Sequence, residues 1–331
     1  MTVPQPLYIL NRILCTAMKR VVAAVIVDSA PLAVRKPLLK TAAVLPPPFK
    51  VTMLERLCAR MSRNGFDREH LIVTNLGVSP DIRCRIPIHK SQYAFGCPKN
   101  SVMERATLNL VCELSNDCLH FLDVGAHEGI YTFSVFATRR KDISSHWFEP
   151  DKILSERLAR NLELNFIEAH GNRVAVADTS GCAVFFRNLT DDASGSLATC
   201  FGNKHSTFPE TVNTVRLSDY CLSKDISRAI VKVDVEGLGS RVWLGMERCF
   251  ARITYLVIEM LAPEIADGLP QRIIRQTEWH AYYIRDFQLV ESRTGEFEYV
   301  EPFWNWLFCG LDPLALARRL AGTKFRVIAP A

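Results

Sequence analysis

The sequence predicts an α/β fold: a doubly wound, mostly parallel sheet with an antiparallel C-terminal strand, preceded by a helical N-terminal extension. Three observations predict it. From residue 119 onward, short apolar runs alternate with segments of helical period. Four of those runs close on a carboxylate: Asp123, Glu149, Asp234 and Glu259. Glycine is scarce, 16 in 331 residues, yet Gly125 and Gly129 stand four apart directly behind the first run.

The elements follow in order. Residues 1–48 form a basic, largely helical extension that ends at "LPPPF", where three prolines stop a helix. Residues 49–118 hold lead-in elements: an amphipathic helix over 51–63, two strands at 70–76 and 82–88 forming a hairpin-like entry, and a helix over 101–114. Ser101 and Glu104 open that last helix as a capping box. The main domain spans 119–331. In it, strands at 119–124, 144–149 and 172–178 alternate with helices at 128–140 and 151–165. Segments 181–187 and 211–217 flank a polar loop, and strand 229–235, helix 239–250 and strand 253–260 complete the alternation. The tail, 282–292 and 298–310, reads as two longer strands around the turn "RTGE".

Bulk properties narrow the function. With 48% hydrophobic and 23% charged residues and a mean hydropathy of +0.06, the chain is globular with a sizeable core. It lacks the run of about 18 apolar residues that a spanning helix needs. Residues 1–65 carry ten Lys/Arg and two acids, a net +8, against +5 for the whole chain, so the remainder is −3. A body of that charge does not suggest nucleic acid as a partner. The acid-poor helical stretch at 7–30 reads as a membrane-surface helix, as a helix packed on the body, or as a transit peptide. Eleven cysteines without a CxxC pair read as buried free thiols in a reducing, cytoplasmic setting, with peripheral membrane contact through the extension.

The stretch "FLDVGAHEGIYT" carries the chemistry. In an open parallel sheet, ligands bind where strands end and helices begin. Gly125 permits a tight turn there, Gly129 lets the helix start pack close to the strand, and the helix offers its unsatisfied N–H groups. A dinucleotide site asks for G-x-G-x-x-G, whereas this chain has D-x-G-x-x-x-G with Asp123 on the strand end. That carboxylate repels an anion and favours an amino group or a sulfonium. Glu149 ends the next strand, where an acid accepts hydrogen bonds from a ribose diol. Together these suit S-adenosylmethionine.

With its further segments "FEPDKILSERLARNLELN", "RVAVADTSGCAVFF", "IVKVDVEG" and "LVIEM", the chain resembles the FkbM-type S-adenosylmethionine-dependent methyltransferases over roughly residues 119–260. The resemblance implies a class I, Rossmann-like methyltransferase fold and O-methylation of a hydroxyl on a saccharide, glycolipid or related metabolite. It implies that Asp123, Gly125, Ala126, His127 and Gly129 form the cofactor loop, that Glu149 binds ribose, and that Asp178 lies near adenine. Asp234, Glu236 and Gly237 match its DVEG signature. Two positions depart from the family: His127 replaces the usual Asn, and Gly239 stands where an acid is usual.

Methyl transfer to an alcohol needs a positioned acceptor and a destination for its proton. Asp234 or Glu236 is the expected general base. In a second reading, Asp234 and Glu259 hold a divalent cation such as Mg2+ that acidifies the hydroxyl. Glu236 reads equally as a cap for the helix that follows it. The alternatives to saccharide O-methylation are methylation of a small natural product or a protein, a non-catalytic cofactor-binding module, and a dinucleotide-dependent oxidoreductase.

Overall fold

The computed structural model describes residues 71–75, 83–87, 102–138, 142–188, 195–197, 207–296 and 304–329. The extension, the helix expected over 51–63, the capping box at Ser101 and most of the polar loop lie outside the described residues. Strands β1 (Leu71–Asn75) and β2 (Arg83–Pro87) pair antiparallel, from Leu71 with Pro87 to Asn75 with Arg83. They belong to one compact unit of the chain; residues from 100 onward belong to a second.

The second unit is built on a nine-stranded sheet. Its parallel half consists of β3 (His120–Val124), β4 (Ser144–Phe148), β5 (His170–Asn172), β9 (Ala229–Val233) and β10 (Ile253–Glu259). Strand β13 (Asn305–Cys309) runs antiparallel between β10 and β11 (His280–Arg285). Strands β12 (Gln288–Ser292) and β14 (Arg326–Ile328) finish that edge, and the order is β14-β12-β11-β13-β10-β9-β3-β4-β5. The chain leaves β3 outward through β4 and β5, then returns to β3's other side as β9. The order reverses between β3 and β9, which makes their carboxyl ends the switch point where such sheets bind ligands. A separate small sheet pairs β8 (Thr207–Val215) with β6 (Ala175–Val176) and β7 (Gly181–Asn188).

Burial on both faces explains why these strands read as near-continuous apolar runs. On one face Leu122, Val124, Val231, Val233, Leu256, Ile258, Trp306 and Phe308 pack with Trp243 and Tyr220 in one core. Fully burying aromatics such as Trp243 and Trp306 contributes about 2–3 kcal/mol each. On the other face lie helices α1 (Val102–Ser115) and α2 (Ile130–Thr138), which touch each other and the strands β9, β11, β3 and β4. Helix α3 (Lys152–Leu164) starts at Asp151, whose carboxylate accepts from the backbone N–H of Ile153 and Leu154 at 2.7 and 3.0 Å. The remaining helices are α4 (Leu217–Ser223), α5 (Gly239–Gly245), α6 (Ala262–Ala266), α7 (Leu269–Thr277) and α8 (Pro313–Arg319).

Three expectations need correction. The run 172–178 is not one strand: β5 ends at Asn172 in the large sheet and β6 resumes at Ala175 in the small one. The run 282–292 is a hairpin, β11 into β12, turning at Asp286 and Phe287 rather than at "RTGE". Asp286 takes φ 53°, a left-handed conformation that Asp tolerates, so no glycine announced the turn. The helix expected over 239–250 ends at Gly245, where the chain presses so close to the Ala177 carbonyl that a Cβ would lie 2.2 Å from its oxygen. Among the described residues, no helix is long and apolar enough to cross a membrane. Cys112, Cys118, Cys182, Cys221, Cys249 and Cys309 are free, and of these all but Cys182 are buried.

Candidate active site

The loop from β3 to α2 is laid against the end of β4. The backbone N–H groups of Gly125 and Ala126 both donate to the Phe148 carbonyl at 3.0 Å. The loop turns through three left-handed residues, Gly125 (φ 77°), His127 (φ 50°) and Gly129 (φ 85°). His and Asn are both enriched in that conformation, so the departure at His127 preserves the backbone. The His127 N–H donates to Glu149 Oε2, and the Asp151 N–H to Glu149 Oε1, each at 2.9 Å. Glu149 is thus clamped between the loop and the start of α3, and is 5% exposed. Burial pushes its pKa up to about 8; the two N–H bonds oppose this, and Asp151 and Asp123 add to it.

The glycines serve packing. A Cβ on Gly125 would stand 1.7 Å from the Asp234 carbonyl oxygen, so the loop crosses directly over the end of β9. A Cβ on Gly129 would meet Leu158 Cδ1 of α3 at 2.1 Å, so its close approach is to a helix rather than to the strand.

Asp123 is buried, and its Oδ2 accepts from the Thr132 N–H at 3.1 Å and the Thr132 hydroxyl at 2.7 Å. The strand end therefore satisfies a first-turn N–H of α2 in place of an ordinary cap. Burial raises the Asp123 pKa to about 6, against the pull of Thr132 and Lys232. In the sheet, Asp123 is registered opposite Lys232 of β9. Lys232 is 0% exposed; its Nζ lies 3.1 Å from Asp234 Oδ2, donates to the Val233 carbonyl at 3.1 Å, and sits 5.2 Å from the centre of the Tyr131 ring.

Asp234 and Glu259 close the neighbouring strand ends and share a hydrogen bond. They ionise in opposite senses. For Asp234, burial is outweighed by the Lys232 ammonium and the bond with Glu259, and its pKa falls. For Glu259, burial and the Asp234 charge act together, and its pKa rises well above the carboxylate range. The opposite shifts mean that a proton shared by the pair is held by Glu259 in preference to Asp234, and 26% of the Asp234 side chain is exposed. A hard cation takes anionic oxygens, whereas here an ammonium engages Asp234 Oδ2 and Glu259 is the carboxyl that favours its proton, so the arrangement lends the Mg2+ reading no support. Among the described residues, no group of three or more His, Cys, Asp or Glu is arranged to hold a metal ion.

The DVEG turn follows at once, with Glu236 at φ 49° and Gly237 at φ 83°. Ser196, from the polar loop, donates its hydroxyl to the Glu236 carbonyl at 3.2 Å. Helix α5 has Leu238 at its cap position, whose side chain makes no cap bond. The carboxylate at that helix start is Glu264, 3% exposed, whose Oε1 lies 2.8 Å from where a Gly239 Cβ would be. Burial raises its pKa, and the N–H groups of Leu261, Gly239 and Ser240 oppose the rise. An acid side chain at 239 would compete with Glu264 for this space, so the glycine is coupled to a carboxylate arriving from α6. Asp178, in the turn after β6, is engaged by Arg241 of α5 through Nε at 3.0 Å and the terminal nitrogen at 2.7 Å.

The fold thus brings together Asp123, Gly125, Ala126, His127, Gly129, Glu149, Asp234, Glu236 and Glu259 around the β3–β9 switch point. Asp178 stands on the small-sheet side, already paired. Sequence reasoning missed Lys232, Thr132, Arg241 and Glu264. Only Lys232 carried a signal, a lysine inside the otherwise apolar run "AIVKV". Trp306 lies in the core, tilted against Tyr283 at 5.3 Å and stacked on Phe308 at 6.0 Å. His146 is also core: it is bonded to the Tyr220 hydroxyl at 2.9 Å, and burial pushes its pKa down to about 4.

No curated protein matches the chain. Among solved structures, it is similar to methyltransferase FkbM from Methylobacillus flagellatus KT, with TM-score 0.39 and 12% identity over 83% of this chain and 58% of that one. It thus spans less than two thirds of that protein. It is also similar to a SAM-dependent methyltransferase from Agrobacterium tumefaciens (TM-score 0.38, 8% identity, 72% and 69% covered). A third is a Pyrococcus abyssi tRNA (uracil-54, C5)-methyltransferase in complex with S-adenosyl-L-homocysteine (0.36, 14%, 72% and 44%). Residues 123–286 match the methyltransferase FkbM domain. That match begins at Asp123 and takes in the glycine loop, Glu149, the DVEG turn and Glu259. The chain carries, over residues 123–286, an FkbM-type domain of the S-adenosylmethionine-dependent methyltransferase family.

Proposed function

We propose that this domain methylates a hydroxyl of a saccharide, glycolipid or related metabolite, with Asp234 as general base. The observation that carries the reading is a partly exposed Asp234 carboxylate, held by the Lys232 ammonium and lowered in pKa, beside a Glu259 whose pKa is raised, beneath the loop that Gly125 packs onto Asp234.

The residues fit the cofactor. Each oxygen of Glu149 accepts one backbone N–H and keeps a lone pair for a ribose hydroxyl. Asp123, beside it, offers negative charge to an ammonium, Ala126 and His127 line the loop, and Asp178 with Arg241 borders the adenine side. Bound there, S-adenosylmethionine supplies a methyl group on a positively charged sulfur. Asp234 accepts the acceptor's proton. Its low basicity suffices, because a hydroxyl becomes strongly acidic as its oxygen bonds carbon. Glu236, held through its carbonyl by Ser196, borders the acceptor side. The net −3 of residues 66–331 supports a small-molecule or glycan acceptor over nucleic acid. We extend the proposal to the chain's layout: a basic extension (1–48) that makes peripheral membrane contact, a lead-in (49–118) and the catalytic domain (119–331), in the cytoplasm.

The test is calorimetric titration with S-adenosylhomocysteine, with NAD+ as control, followed by transfer of labelled methyl to saccharides, glycolipids, small phenols, protein and RNA. Label on the first two classes alone supports the reading. Label on protein or RNA replaces the acceptor, and binding of NAD+ alone ends the proposal.

Glu149 makes that titration pH-dependent. Its pKa is about 8 in the free protein, and a ribose diol favours the carboxylate, so binding expels a proton. Affinity is expected to rise up to about tenfold per pH unit below 8 and to level off above it. Glu149→Gln should weaken binding and flatten the profile. The same shift opposes folding: its cost is absent below the unfolded value near 4.5 and complete above about 8.

A further inference from the structure

Lys232 has no place in the mechanism so far, yet burying an ammonium at 0% exposure costs more than surface ion pairs return. Something at this position holds it. Alternation along β9 puts Lys232 and Asp234 on the same side, and the side chain folds along the strand to reach Asp234 Oδ2 at 3.1 Å. The Val233 carbonyl fixes the ammonium from one side and the Tyr131 ring faces it from another. Asp123 is its registered neighbour across the sheet, and the Lys232 charge also acts on Glu259. The ammonium therefore sits inside a group of carboxylates from three adjacent strand ends.

We propose that Lys232 is a positioning residue for methyl transfer: its ammonium seats the Asp234 carboxylate and offsets one negative charge beside the cofactor's sulfonium. The inference rests on the cofactor reading above. Its physical need follows from the reaction. Asp123 and Asp234 together would hold a sulfonium in its ground state more strongly than the transition state, where the positive charge is leaving sulfur. A fixed cation between them trims that excess and keeps Asp234 aimed.

The test needs no acceptor. S-adenosylhomocysteine is neutral at sulfur, whereas sinefungin carries an ammonium where the sulfonium methyl would be. The ratio of their affinities, measured by calorimetry, reads the charge at that point. Lys232→Met should shift the ratio at least about tenfold towards sinefungin, the size expected for one charge about 12 Å away at an effective dielectric near 20, and more if it lies closer. Asp234→Asn should shift it about tenfold the other way. The double variant Lys232→Met/Asp234→Asn, which buries no unpaired charge and stays measurable if the first single variant does not fold, should return the ratio to within about threefold of wild type. A purely structural lysine would move both affinities together. The proposal falls if the ratio is the same in wild type and Lys232→Met, or the same in Asp234→Asn and the double variant. If neither ligand binds the wild type, the cofactor reading fails and takes this inference with it.

Discussion

Gly125→Ala is expected to cost about 3–5 kcal/mol of stability, a fall in Tm of about 10–15 °C, together with loss of cofactor binding. Two terms add. The residue sits at φ 77°, where a Cβ costs about 1 kcal/mol or more in backbone strain. The methyl would also stand 1.7 Å from the Asp234 carbonyl oxygen, which is backbone and cannot swing aside. Relief requires the β3–α2 loop to lift off β9, which breaks the bonds from Gly125 and Ala126 to Phe148 and from His127 to Glu149. Gly129→Ala is the control. It has a similar φ of 85°, but its obstacle is Leu158 Cδ1, the end of a side chain that can change rotamer, so about 1–2 kcal/mol is expected. Gly310→Ala, with nothing within 4 Å, should be close to neutral. Thermal melts and homocysteine-product titration of the three variants check the order. Equal losses at 125 and 129 would show that backbone strain alone, and not the crossing over Asp234, sets the glycine.

What the sequence made legible was whatever is written in local pattern. The parallel strands announced themselves as apolar runs of four to six residues ending in a carboxylate, because a strand covered on both faces has few other residues to choose from. The glycine loop was legible because left-handed turns leave a compositional trace. The hairpin at Asp286 was not, since Asp filled a left-handed position that glycine usually marks. The run 172–178 looked like one strand because the residues that divide it, Arg173 and Val174, do not break a β pattern; only the pairing partners differ.

The site divides in the same way. Asp123, Glu149, Asp234 and Glu259 were found from their places at strand ends. Their charge states were not, because those depend on groups distant in sequence. Glu149 is governed by N–H groups from His127 and Asp151 on two loops. Gly239 read as a lost carboxylate, yet Glu264, 25 residues on, presses into the space its side chain would need. Lys232 was visible as an oddity in an apolar strand, but its meaning lay in a register with Asp123 that only the sheet supplies.

The charge states of Asp234 and Glu259 lead to an unequal pair of losses, and the inequality decides between two chemistries. Asp234→Asn removes the ionised member, and methyl transfer is expected to fall about 10²–10⁴-fold while S-adenosylhomocysteine still binds. Glu259→Gln replaces the carboxyl that burial and the Asp234 charge push towards its neutral form with a neutral amide of the same shape, which can still donate to Asp234. Its rate should stay within about tenfold of wild type. A divalent-cation site predicts something else: both residues would be anionic ligands, both substitutions would cost a similar amount, and added Mg2+ would restore part of the rate. The assay is labelled-methyl transfer to the acceptor class found above, run with Mg2+ and with EDTA. A loss confined to Asp234 and indifferent to EDTA marks a proton-accepting carboxylate held ionised by Lys232. Matched losses with a Mg2+ response would mean that the shared proton gives way to a cation when substrates bind, and Asp234 would then be a ligand rather than the base.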